Sequence, residues 1–125
     1  MFIIDEETGN IECIQGDSGQ IVLSGLPTDR DDYVVYFAFI QQNKKPFGSE
    51  IAVDCNGASS VTIDVAPEFT DVLSVSSDDE VAEYYYGIKL CTADGKKEET
   101  LLIGNNSSPS VFNTVTVYPK RVEGT

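Results

Sequence analysis

Apolar and polar residues alternate with period two along most of this chain, the pattern of strands with one wet and one buried face. Ile11-Glu12-Cys13-Ile14 reads as an early strand. Phe2-Ile3-Ile4 reads either as a short strand before it or as a segment that pairs with a neighbouring chain. Gly16-Asp17-Ser18-Gly19 is a turn, and Gln20–Ser24 continues with Ile21 and Leu23 on one side. Tyr33–Gln41 differs because both of its faces are apolar, with Tyr33, Val35, Phe37 and Phe39 against Val34, Tyr36, Ala38 and Ile40. Such a run predicts a central strand covered on both sides. Ile51-Ala52-Val53 is a short strand, Asn56-Gly57 is a hairpin signal because both residues tolerate positive φ, and Val61–Val65 alternates cleanly.

One segment departs from this period. Pro67-Glu68-Phe69 has proline and an acid where a helix begins, and predicts one or two turns over Pro67–Leu73 that carry the chain between strands. Ser74–Glu80 is an acidic loop. Ala82–Cys91 is a long strand, Asp94-Gly95 turns the chain, and Glu99–Ile103 returns beside it. Asn105–Ser110 is a polar loop, and Val111–Tyr118 is the closing strand. Seven to eight short strands with frequent turns and no long helical pattern predict an all-β, immunoglobulin-like antiparallel sandwich with one short helical segment. The sandwich is expected over residues 1–119, with a polar tail over 120–125. The landmarks of antibody domains, a core tryptophan and a bridging cysteine pair, are missing.

Length and composition fit this picture. A chain of 125 residues, 41% hydrophobic and 23% charged, is one globular domain with enough material for a core of its own. Its 21 acids against 8 bases give a net charge of −13, which repels phosphates and argues against nucleic acid or an anionic membrane as partner. The start Met1-Phe2-Ile3-Ile4-Asp5-Glu6-Glu7 lacks the basic and long apolar regions of an export signal, so a cytoplasmic origin is expected. Cys13, Cys55 and Cys91 are odd in number and widely spaced, which suits reduced, buried thiols. A Cys13–Cys91 contact across two layers is the alternative.

Candidate chemistry is sparse. There is no histidine, so the usual general base and zinc ligand are absent, and no phosphate-cradling glycine pattern occurs. No catalytic residue, cofactor or metal is expected. Asp29, Asp31 and Asp32 in one loop and Asp78, Asp79 and Glu80 in another form a calcium site only if the fold brings the two loops to the same end. Within Tyr84-Tyr85-Tyr86, alternation sends Tyr84 and Tyr86 to one face and Tyr85 to the other. Tyr85 and the segment Phe2, Ile3, Ile4 are therefore the candidate partner contacts, while Lys44-Lys45-Pro46 and Lys96-Lys97 guard strand ends.

The order of the pieces resembles a known family. Gly16-Asp17-Ser18 precedes a strand at Gln20–Ser24, and Val35-Tyr36-Phe37-Ala38-Phe39 follows. Val61–Val65 then runs into Ala66-Pro67-Glu68-Phe69-Thr70. Tyr84–Leu90 has the form Tyr-x-Tyr-x-x-x-Leu, ahead of Asp94-Gly95, Thr100–Gly104 and the Val115-Thr116-Val117 strand. From Ile11 to Val117 this is similar to the N-terminal immunoglobulin-like domain of bacteriophage baseplate upper proteins. The resemblance implies a non-catalytic tail or baseplate component that docks other virion proteins, usually as a homo-oligomer, assembled in the host cytoplasm and retained in the virion. Such proteins usually continue into further modules, and this sequence stops soon after Val117. Two other functions fit the composition: an adhesion or carbohydrate-binding module, and an acidic inhibitor that mimics DNA toward a host protein.

Overall fold

The computed structural model describes residues 1–123, and the end of the expected 120–125 tail lies outside them. The described residues form nine strands and one short helix: β1 (Phe2–Ile4), β2 (Ile11–Ile14), β3 (Gly19–Leu23), β4 (Tyr33–Ile40), β5 (Ile51–Asp54), β6 (Val61–Val65), α1 (Pro67–Asp71), β7 (Ala82–Thr92), β8 (Glu98–Leu101) and β9 (Asn113–Tyr118). Seven strands make a large sheet in the order β1-β2-β9-β7-β4-β5, with β8 also pairing with β7. β3 and β6 make a second sheet of two strands. The fold is therefore an all-β sandwich of two unequal layers.

Alternation builds the core. Val61, Ile63 and Val65 of β6 and Ile21 and Leu23 of β3 are buried. The large sheet supplies Ile11, Cys13, Val115, Val117, Tyr84, Tyr86, Ile88, Leu90, Val35, Phe37 and Phe39. Phe37 lies at its centre, edge-on to Phe39 at 5.0 Å and stacked on Tyr86 at 5.4 Å. Two tyrosine hydroxyls reach backbone carbonyls: Tyr84 donates to Ser74 and Tyr86 to Gly9. These bonds satisfy polar atoms that burial would otherwise penalise. Burial also pushes the Tyr86 hydroxyl pKa upward.

The helix α1 links the two sheets, as its sequence predicts. Thr70, fully buried, donates through its hydroxyl to the Asp17 carbonyl at 2.7 Å. Gln15 donates to the Asp71 carbonyl, and Lys120 pairs with the Asp71 carboxylate. The β2–β3 turn, the helix and the start of the C-terminal segment are thereby joined.

Several expectations are corrected. Of the two readings of Phe2–Ile4, the short strand within the domain is the one found, and it raises the count from seven or eight to nine among the described residues. The ladders are not all antiparallel: β2 runs parallel to β9, with Ile11 opposite Val115 and Cys13 opposite Val117, so their buried residues align. Asn56 and Gly57 do take positive φ, 52° and 77°, but they do not close a hairpin. β5 pairs with β4 while β6 pairs with β3, so the turn carries the chain into the opposite layer, where the apolar side of β6 faces the core. β4 is central within its sheet, between β7 and β5, yet only one face is fully buried. Val34, Tyr36, Ala38 and Ile40 are half-buried on the outer side, where no layer of strands lies over them. The closing strand begins at Asn113, leaving Val111 53% exposed in a small bridge with Ser108. Cys13 and Cys91 belong to the same sheet, and all three cysteines are free and buried.

Candidate functional site: an uncharged groove on the outer face of the large sheet

β7 is longer than any of its partners. One edge pairs with β4 along its length, while the other is shared. β9 takes the first part, ending at Tyr86 opposite Asn113, and β8 takes the second, starting at Ile88 opposite Leu101. Gly87 falls at the changeover. The chain from Leu102 to Phe112 loops away there, and a groove of about 420 Å³ opens over Gly87. Ile40, Leu102, Pro109, Val111 and Phe112 line it, with Ser107 and Ser108 at the loop side. Although 23% of the chain is charged, no charged side chain among the described residues lines this groove.

Gly87 is not required by its backbone. Its φ is not positive, and a Cβ at this position meets only Ile40 Cδ1 within 4 Å, at an ordinary contact distance of 3.5 Å. Glycine inside a strand weakens it and often marks close approach of a ligand or another backbone. Here its effect is to keep the groove floor bare.

An aromatic cluster stands beside the groove and shares Phe112 with it. Tyr85, half-buried and opposite Ile40 and Thr114 in its ladders, meets Phe112 edge-on at 5.8 Å. The Lys44 ammonium lies 5.9 Å from the Tyr85 ring centre and 5.8 Å from that of Phe112, within cation–π range. The turn after β4 sets that position. Lys44 has φ 68°, its N–H donates to the Gln41 carbonyl, and the Lys45 N–H donates to the Asn43 side chain. Lys44 forms no salt bridge among the described residues.

Of the residues expected to contact a partner, Tyr85 sits in this cluster and Phe2, Ile3 and Ile4 do not. β1 is the far edge strand, separated from β7 by β2 and β9. Ile3 shares the outer face, through the register Ile3–Glu12–Thr116–Glu83, and is 53% exposed. Phe2 lies over Gly19, where a Cβ would fall 2.1 Å from its ring. The site residues missed in the sequence are Ile40, Lys44, Gly87 and Phe112. The glycine interrupting Tyr84–Leu90 was a legible signal. The others required knowing which strands are neighbours.

The acidic loops do not meet. Asp29–Asp32 precedes β4, whose first residue pairs with Thr92 at the end of β7, while Asp78–Glu80 precedes the start of β7. They therefore lie at opposite ends of the longest strand and cannot share a cation. The first loop is organised around Arg30, which donates to Asp32 at 2.8 and 2.7 Å and to Asp94 at 3.2 Å, while Asp29 accepts from the Tyr33 hydroxyl. Hydrogen bonds from the Thr92 hydroxyl and the Lys96 N–H, with Arg30 adding to them, hold the Asp94 carboxyl pKa down at about 2. Burial pushes the Cys13 thiol up to about 11, so at neutral pH it is a packed apolar group and not a nucleophile. Among the described residues no group of three or more Cys, Asp or Glu is placed to hold a metal, and no helix is long and apolar enough to cross a membrane.

Comparison with known proteins finds no matching family model, no matching curated protein and no matching solved structure.

Proposed function

We propose that this chain is a non-catalytic structural and interaction protein of a phage or prophage virion, a tail or baseplate component that docks other virion proteins through the outer face of its large sheet. The observation that carries the docking role is the uncharged groove and its aromatic rim on a chain of net charge −13. Elsewhere so acidic a surface repels other acidic proteins. A bare apolar recess beside Tyr, Phe and Lys side chains marks where contact is favoured. The virion assignment is supported by the order of sequence motifs from Ile11 to Val117, which resembles baseplate immunoglobulin-like domains.

Light scattering with negative-stain microscopy tests the proposal. A ring or another defined multimer, alone or with co-expressed tail proteins, is the expected result. A monodisperse monomer that competes with DNA for a host protein would replace it with the acidic-mimic function. Glycan binding that depends on Tyr85 would replace it with a carbohydrate-binding one.

A further inference from the structure

We infer that the groove over Gly87 receives an apolar side chain that stands beside a carboxylate in a partner protein, the side chain filling the recess and the carboxylate pairing with Lys44. This rests on the docking role proposed above and specifies the chemistry of the partner. Three observations carry it. The recess is lined mainly by aliphatic and aromatic groups, with uncharged polar ones such as Ser107 and Ser108 at the loop side and no charge among the described residues, so its natural filling is an apolar side chain. Its floor is a glycine whose Cβ position is open, so the space is left by the sequence and not imposed by backbone strain. Beside it, across the shared Phe112 ring, stands Lys44, an exposed ammonium held over the Tyr85 and Phe112 rings and without a salt bridge among the described residues. The rings hold the ammonium in place without neutralising it, so a charge of the opposite sign is its complement. The charge of −13 on each copy weighs against a second copy as the occupant of this groove, so any self-assembly of the chain uses other faces.

The probe is N-acetyl-phenylalanine, which joins a phenyl ring to a free carboxylate, titrated into the isotope-labelled chain beside its uncharged amide. Amide-resonance shifts centred on Gly87, Leu102 and Phe112 are expected. The uncharged amide should bind about two- to fivefold more weakly, the scale of one exposed ion pair. Gly87→Val, which fills the floor, should abolish the shifts while the melting temperature is retained. Lys44→Met keeps the stem over the rings and removes the charge, so it should erase the preference for the acid over the amide without abolishing binding. Shifts centred elsewhere, equal affinity of the wild type for acid and amide, or unchanged binding by Gly87→Val overturn the inference. Concentration-dependent dimerisation that moves the same resonances also overturns it, by making a second copy the occupant. The two proposals fail separately. If the probe does not bind but assembly with tail proteins is lost in Gly87→Val, docking stands and the ligand chemistry is wrong. If the probe binds as described and Gly87→Val still assembles, the reverse holds.

Discussion

At the scale of single residues, the structure separates side chains that hold the fold from those that present a surface. Phe37 is 1% exposed and packed on Phe39 and Tyr86, so Phe37→Ala opens a cavity in the core. Loss of about 3 kcal/mol or more is expected, read as a lower denaturation midpoint in urea. A shift of only a degree or two in melting temperature would remove Phe37 from the centre of the core. Asp94 sets a different kind of dependence. Its native pKa of about 2 lies below the roughly 3.9 of an unfolded aspartate, so its stabilising bonds are fully present above about pH 4 and are lost as pH falls through 2. Asp94→Asn should flatten that part of the melting-temperature profile and leave the profile above pH 5 unchanged in shape. Tyr85 shows what residue-level reading can and cannot give. Alternation alone sends it to the outer face, opposite to Tyr84 and Tyr86, and there it is. Its neighbours Phe112 and Lys44 are remote in sequence and meet it only because Ile40 and Thr114 flank it in the ladders.

At the scale of elements, strands were far more legible than their partners. Buried residues at every second position fix where a strand lies and which way it faces. They do not say which edge it joins. The parallel alignment of β2 with β9 and the shared edge of β7 involve segments far apart in the chain, and both escaped the local pattern. The Asn56-Gly57 turn makes the same point, since positive φ specifies a bend but not the layer into which the bend leads. Turns also differ in how much they tolerate. Gly104 has φ 72°, and a Cβ there would sit 2.2 Å from the Thr8 carbonyl carbon, because the loop after β8 crosses the β1–β2 loop at that point. Gly95 has the same φ in the β7–β8 turn but nothing within 4 Å. Gly95→Ala should therefore cost about 1–2 kcal/mol of backbone strain alone. Gly104→Ala should cost clearly more, because the backbone of the crossing loop must also move. Equal effects in thermal or chemical denaturation would mean that the crossing is not tightly packed.

For the molecule as a whole, the inequality of the two sheets organises everything else. Two strands, β3 and β6, cover the inner face of a sheet of seven, and among the described residues no strands cover the outer face. The outer face must live in water or against a neighbour, and along β7 it is uncharged at Tyr85 and Gly87 between the charged Glu83 and Lys89. A second whole-molecule feature lies at the chain ends. The Met1 carbonyl accepts from the N–H of Ile14, and the next residue, Gln15, donates to the Tyr118 carbonyl. Residues 1 and 118 are thus held side by side at one tip of the sheet by successive links from the last residue of β2 and the one after it. Tension applied between them would load these links singly, first one and then the next, like a zip opened from its end. The ion pairs at the same tip, Met1 with Asp17 and Lys120 with Asp71, lie at the surface and add little mechanical resistance. A domain of this design that has to bear force in an assembly would depend on its neighbours to clamp that tip.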